Sequence, residues 1–583
     1  MRWWLMRYFR MLTNAVLAGL LAAVYVAILF LQLNPHLPLD LSGLWPLLIV
    51  VIGFYGIHAA AFFYTMIVLR QVLSSELLSP GWLSLRLLSW LSAAAASGAT
   101  LLMWLNLLGL RTALTEEAAR RLGVGALAMG LSALALLAIA VVHYSFGRRG
   151  SVVGASLFGM AVVASVTLPV VARGEAVPRQ LGSYPLDVGS SSGLNPERSR
   201  VLMLLLDGAS LDYLSLATAD GRLPNFGRML DSGAAMHLAT LRPTQPEPVW
   251  ATVATGKYPP RHGVISASTY EVGSDFARLE LLPDHCFAQA LVYFGFLNES
   301  PASSAELRSR PLWSVLSGQG VSVGIVGLAL THPVQPIHGF VVSDRFHLIT
   351  DPLFDPLAAE AAYPEEAVSI GARAMRDVSG QGVLNTTATG VEGSLAPPAE
   401  AAPIWQDRVY SRIADYLSVH FDDVRLFAVR YRGLDLAGHG FLPTQIPLPL
   451  MRLGDAASLE AYYRQVDNEV GAVLDFLGPD DLFLVVSGFG MEPVTPAKRL
   501  FARLVGDPDV TGTHENAPDG FLLAYGTQVD PGRHTRGSVV DVAPTVLYYL
   551  GVPVARDVDG LARTDIFTST FTETRPITFV ASY

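Results

Sequence analysis

Asp435 and His439 stand four residues apart in Arg432–Phe441, RGLDLAGHGF, just after the strand-like run Val424–Val429. Residues at i and i+4 lie on one face of a helical turn. A carboxylate oxygen and an imidazole nitrogen placed there can hold one divalent cation between them. A second stretch, Leu241–Gly263, reads LRPTQPEPVWATVATGKYPPRHG. Pro243, Pro246 and Pro248 crowd a loop ahead of a helical run, Val249–Thr255, which Gly256 ends. Thr244 offers a hydroxyl just before that helix, where the positive end of the helix dipole favours an anion. Read alone, it is a loop threonine that caps the helix. His262 and Asp541 read as structural, and Tyr462 and Tyr463 as packing on a periodic helix. Asp284 and His285 form a further pair that could supply metal ligands.

These residues need a scaffold, and the composition divides it in two. The chain has 583 residues, 51% of them hydrophobic, and a mean hydropathy of +0.39. Residues 1–180 hold 12 Arg, no Lys and five acids, a net of +7. The rest holds 28 basic and 45 acidic residues, a net of −17. In the first part, five uncharged apolar runs cover about 12–33, 44–69, 87–110, 122–143 and 152–172. Each has about the 20 residues that cross the hydrocarbon of a bilayer. This predicts a transmembrane domain over 1–175, an all-α bundle of about five helices. Arginines place its N-terminus in the cytoplasm: Arg2, Arg7, Arg10, Arg70, Arg86, Arg148 and Arg149 on one side, against Arg111, Arg120 and Arg121 on the other. Five spans then put the remainder outside the cytoplasm, periplasmic or extracellular.

A Ser/Gly/Pro-rich linker is expected at 176–198. The outer domain, 199–583, must rely on its core, since the single cysteine, Cys286, excludes an internal disulfide. Its acidic balance and the lack of a basic stripe argue against nucleic acid as partner. Continuous apolar runs occur at Arg200–Leu206, Val321–Leu328, Leu426–Arg430, Leu482–Ser487 and Gly520–Tyr525. Such runs mark strands buried on both faces. Helical stretches between them, Ser458–Leu477 for one, predict an α/β doubly wound sheet. Ligands of such sheets bind beyond the carboxyl ends of the strands. Asp207, Asp435 and the turn at Ser487 all fall there. An inserted or cap region is expected over about 270–420, with a flexible stretch at Asn385–Pro403.

Six blocks in order, VLMLLLDGAS, PTQPEPVWATVATGKYPPRHGV, YRGLDLAGHGF, VVSGFGM, GTHENAPDGFLLAYG and RGSVVDVAPTVLYYLGVPVARDVDG, resemble the alkaline phosphatase superfamily, in particular its type I phosphodiesterase/nucleotide pyrophosphatase branch. The resemblance implies an alkaline-phosphatase-like mixed sheet with two metal ions at its carboxyl edge. It carries Asp207 over as a metal ligand, Asp435, His439 and His514 as the ligands of one ion, and Thr244 as the nucleophile. Many relatives place the nucleophile two residues nearer Gly256, where this chain has Pro246. The PT-xxx-P spacing of Thr244 matches instead the nucleophile block of membrane ethanolamine phosphate transferases. A further departure lies in VVSGFGM. Gly488 and Phe489 stand where the family has an aspartate and a histidine, and neither binds a cation. The expectation is therefore one divalent ion rather than two, zinc or else manganese. The activity implied is that of a membrane-anchored phosphodiester or phosphomonoester hydrolase, or a phospho-group transferase. Its substrate would be phosphorylated, and the five-span architecture favours a lipid-linked or envelope compound. The alternative is a pseudoenzyme that binds a phosphorylated or lipid ligand, or a protein, without turnover.

Overall fold

In hydrocarbon a lone segment can satisfy its backbone N–H and C=O groups only as a helix. The computed structural model describes residues 2–74, 80–146, 152–177, 199–273, 278–349, 352, 355–385, 402–442, 456–505 and 510–583. It contains five long apolar helices, α1 Arg2–Leu33, α2 Leu41–Leu73, α3 Leu85–Gly109, α4 Glu116–Phe146 and α5 Val152–Arg173. All five are long and apolar enough to cross a membrane. Several of their buried polar side chains bond within the helix unit. Tyr25 and Ser165 share a hydrogen bond of 2.7 Å, and Gln32 Nε2 donates to the Pro169 carbonyl at 2.7 Å. The guanidinium of Arg173, 1% exposed, donates to the carbonyls of Leu31, Asn34 and Leu37. Leu31 lies in the last turn of α1, where a helix end leaves carbonyls without partners and a cation is favoured.

Residues 268–301 group with these helices, although they come from the middle of the later domain. Only this piece of the expected 270–420 insert behaves so. Residues 302–385 and 402–420 belong to the second unit and supply strands and helices to it. From residue 178 the expected linker lies outside the described residues, as do 386–401 of Asn385–Pro403.

The second unit is built on a mixed sheet of ten strands. In chain order they are β1 Arg200–Leu206, β2 Ala234–Ala239, β3 Val323–Val326, β4 Gly339–Val342, β5 Ala362–Tyr363, β6 Leu426–Tyr431, β7 Asp481–Phe489, β8 Asp519–Tyr525, β9 Gly532–Arg533 and β10 Gly537–Ser538. The spatial order is β9-β2-β8-β7-β1-β6-β3-β4-β5, with β10 also paired to β2. β7 is buried along its whole length, as a central strand covered on both faces must be. Apolar side chains of β1, β6 and β7 alternate between two cores, one on each face.

The topology gathers loops from distant parts of the sequence at one edge. β1, β6 and β7 are parallel, with Leu206 level with both Tyr431 and Ser487. β8 runs antiparallel to β7, and Asp519 lies opposite Phe489, so β8 begins where β7 ends. β2 is antiparallel to β8, and Leu238 lies opposite Gly520. The segments after β1, β2, β6 and β7, and the one before β8, therefore share one edge. Two helices start there, α6 Pro246–Thr255 and α7 Gly433–Phe441.

His262 is structural, as its sequence suggests. It is fully buried, its Nδ1 accepts from the Val264 N–H at 3.2 Å, and its Nε2 lies 3.0 Å from Thr252 Oγ1. Burial pushes its pKa down to about 3. The unfolded imidazole, near 6.5, takes up a proton first as pH falls. Stability should therefore decline from about pH 6.5 toward 3, by at most about 1.4 kcal/mol per unit. Thermal unfolding midpoints measured across that range should fall less steeply for His262→Gln. Equal slopes would show that His262 is not the group responsible.

Candidate metal centre

Asp435, His439 and His514 come together at the shared edge. Each offers one ligand atom, and these atoms all lie within 4.8 Å of one another. His439 Nε2 is 3.7 Å and His514 Nε2 3.8 Å from the same oxygen, Asp435 Oδ1. Ligands about 2.0–2.1 Å from a tetrahedral zinc stand roughly 3.4 Å apart, so these two separations need only a slight closing. Each imidazole is already oriented by its other nitrogen. Nδ1 of His439 faces the Gly512 carbonyl at 2.9 Å, and Nδ1 of His514 faces the Thr244 carbonyl at 3.2 Å. A carbonyl can only accept, so each Nδ1 carries the proton and each Nε2 keeps a lone pair for a metal.

Asp435 is 3% exposed, and its Oδ1 is buried with no hydrogen-bond partner. Burial, and next the Asp207 carboxylate, push its pKa above the usual range, while His514 and His439 pull it down. A buried acceptor without a donor costs free energy unless something positive meets it. The donor set and this orphan oxygen fit a divalent ion. The imidazoles remain partly exposed, at 33% and 17% of their side chains, which leaves an open side as a catalytic site requires. Close packing holds the arrangement. Gly208 has φ +73°, and a Cβ there would come within 3.0 Å of the Asp435 backbone. Only glycine suits both demands.

Asp207, at the end of β1, does not join this cluster. Its carboxylate accepts two hydrogen bonds from Arg430, from Nε at 2.9 Å and Nη2 at 2.5 Å. The pair is closed from solvent, at 1% and 0% side-chain exposure. Burial alone would lower the Arg430 pKa, but the Asp207 charge and these bonds hold it above the ordinary value. Around the pair, the positions that the resemblance assigns to a second ion's ligands are filled. A Cβ on Gly488 would lie 2.5 Å from a Val249 methyl. Phe489 is fully buried with its ring 5.2 Å from that of His514. The Trp250 indole lies against Arg430, 5.6 Å from ring centre to guanidinium carbon.

Thr244 lies at the same edge, 1% exposed, and its hydroxyl donates to the Leu241 carbonyl at 2.7 Å. Its N–H donates to the Glu515 carbonyl at 3.3 Å. Its backbone thus clasps residues 514 and 515. Gln245, not Thr244, is the cap residue of α6, with no side-chain cap bond. Asp284 and His285 fall in the unit that contains the long helices, where Asp284 pairs through its backbone with Asn106. Asp541 completes a capping box with Ser538, and the Tyr463 hydroxyl accepts from the Ser210 N–H.

Two arginines at this edge were not singled out in the sequence. Arg430 ends an apolar strand, and an arginine in such a run should signal a buried partner. Arg432 stands three residues before Asp435, and its Nε is buried without a hydrogen-bond partner. An orphan donor and an orphan acceptor thus flank the first turn of α7. The α7 start is itself fixed by Asp407, whose carboxylate accepts from the N–H groups of Arg432 and Gly433 at 2.9 and 2.8 Å. Glu247, in the first turn of α6, has its pKa raised by burial and opposed by Arg430 and Arg432.

No curated protein matches the chain. The sequence model of the type I phosphodiesterase/nucleotide pyrophosphatase family, however, matches residues 201–538, which include every strand, loop and ligand described at this edge. With more than half its length so matched, the chain belongs to the type I phosphodiesterase/nucleotide pyrophosphatase family.

Proposed function

We propose that the protein is a membrane-anchored phosphoester hydrolase or phospho-group transferase that works with a single divalent ion. Asp435, His439 and His514 would hold that ion, and two imidazoles with one carboxylate suit zinc first and manganese second. The observation that carries this reading is the pair of orphans on one helix start, Asp435 Oδ1 as acceptor and Arg432 Nε as donor. The acceptor suits a cation and the donor a phosphate oxygen. A bound divalent ion would polarise the phosphoryl group and lower the pKa of a water or alcohol beside it. Arg432 would orient the phosphate through Nε. Arg430, fixed on Asp207, would neutralise that carboxylate where relatives use a second ion. Thr244, which the family resemblance gives as the nucleophile, has its hydroxyl on the Leu241 carbonyl. We assign it to positioning, since its carbonyl orients His514. The attacking oxygen then comes from water or from an acceptor alcohol.

The arginine bias of the helix ends supports an outward-facing domain, and the five helices favour a lipid-linked or envelope substrate. A second reading, a binding protein without turnover, is favoured by Pro246 at the family's nucleophile position and by the engaged Thr244 hydroxyl. One assay separates them. Full-length protein should turn over an aryl phosphodiester with zinc or manganese, Asp435→Ala should not, and Thr244→Val should retain most of the rate. Equal rates for wild type and Asp435→Ala would sink the enzyme reading. Metal binding without turnover of any phosphoester would establish the second.

A further inference from the structure

Residues 268–301 form a small lobe on the long helices. Its base is an antiparallel hairpin, Ser268–Glu271 with Asn298–Pro301. Two fully buried asparagines fasten it. Asn34, just past α1, donates to the Leu281 carbonyl at 2.9 Å and accepts from the N–H groups of Glu280 and Leu281. Asn106, on α3, donates to the Asp284 carbonyl at 3.0 Å and accepts from the Asp284 N–H at 2.7 Å. Leu279, Ala288, Leu291 and Leu297 complete a core with Phe30, Leu44 and Val51 of α1 and α2. So the middle of the lobe is fastened to the long helices by these bonds and this core.

Its outer face is the opposite of what water favours. Phe287, Tyr293, Phe294 and Phe296 are 67%, 60%, 59% and 47% exposed. Phe287 also holds φ +57°, an uncommon conformation for a bulky residue that the surrounding structure must enforce. This aromatic face is continuous with α2. The Phe54 ring lies 6.3 Å from Phe294 and 6.1 Å from Phe296. Along α2, Trp45, Ile49, Ile57 and Phe62 are exposed at 52–71%.

The length of α2 locates that face. Its 33 residues span roughly 50 Å, whereas the hydrocarbon takes about 20 residues. Arg70, in its last turn, belongs at one headgroup layer. Counting about 20 residues back from it reaches the neighbourhood of Val50. Phe54, and with it Phe294 and Phe296, then lies at the opposite edge of the hydrocarbon, where aromatic rings concentrate.

We propose that residues 287–296 are a membrane seat: the Phe287, Tyr293, Phe294 and Phe296 rings enter the bilayer interface at the leaflet where α1 ends. The occupant is lipid, because the face continues a lipid-facing helix surface and carries rings of the kind that enrich that layer. Since the lobe is spliced into the family segment between Ala267 and Ala302, this seat gives the segment two covalent ties to the membrane surface besides the one that follows α5. The proposal is independent of the metal centre.

The test uses the full chain in phosphatidylcholine vesicles. A spin label at position 294 (Phe294→Cys in a Cys286→Ser background) should collide with dissolved oxygen several-fold more than with a water-soluble nickel chelate. A label at Val419→Cys, 84% exposed in the other unit, should show the reverse. Nickel-dominated collisions at both positions would overturn the seat. If Cys286→Ser fails to fold, wild-type vesicles carrying a phosphatidylcholine with an acyl-chain diazirine answer the question. Photolabel within 287–296 is the expected result. Label confined to α1–α5, or protection of 287–296 by a co-purifying protein, would refute it.

Discussion

Purified full-length protein should carry one equivalent of zinc or manganese, and Asp435→Ala should carry none. The expectation follows from the geometry of three atoms. Two Nε2 lone pairs, each fixed by a carbonyl on the far side of its ring, converge on one carboxylate oxygen that has no other partner. Removing the carboxylate leaves two imidazoles partly open to water, which compete poorly for a divalent ion. Changes to groups that merely support metal ligands already weaken binding about 10–100-fold, so loss of a ligand itself should exceed that. His514→Ala should act alike, while Thr244→Val, which keeps the orienting carbonyl, should leave the stoichiometry at one. Restoring a family ligand should not restore a second ion. Gly488→Asp would drive a side chain into the Val249 methyl at 2.5 Å, and Asp207 would remain taken up by Arg430. Metal analysis after dialysis decides it. Two equivalents in wild type would mean that the filled half of the edge still binds, and none would remove the metal from the reading altogether.

Much of this was legible in the chain, for reasons that differ by element. Helices α1–α5 announce themselves because a bilayer leaves no alternative to a long uncharged helix. β1, β6, β7 and β8 show as continuous apolar runs because both faces of those strands are buried. β2, AAMHLA, and β4, GFVV, are short and lack such runs, and they become strands only because neighbours offer them hydrogen bonds. Asp435, His439 and His514 were found through spacing and family blocks. The pairing of Asp207 was not, since nothing local to DGAS reveals that an arginine more than two hundred residues later lies alongside. The lobe at 268–301 was hidden for the same reason. Its asparagine contacts to Asn34 and Asn106 join segments remote in sequence, and the aromatic run reads as ordinary core until its exposure is known.

Arg430→Ala should strongly destabilise the second unit, and adding Asp207→Ala should undo part of the loss. Both charges are out of water, so truncating one leaves the other buried without a partner, a loss of about 3–5 kcal/mol. The double variant removes the uncompensated charge and should recover that part of the loss, leaving the cost of the cavity that two alanines create. Denaturation of the detergent-solubilised protein, run as a double-mutant cycle, measures the coupling directly. Additive losses would show that the two groups do not depend on each other, against the bidentate contact. The cycle also bears on chemistry when metal content is read beside stability. If the guanidinium only neutralises a carboxylate stranded by Gly488 and Phe489, Arg430→Ala binds no additional ion, for Asp207 alone offers too few ligands. A second equivalent bound by Arg430→Ala would mean that the arginine holds shut a site that can still form. The guanidinium and the second ion would then be alternative partners of Asp207 in one centre.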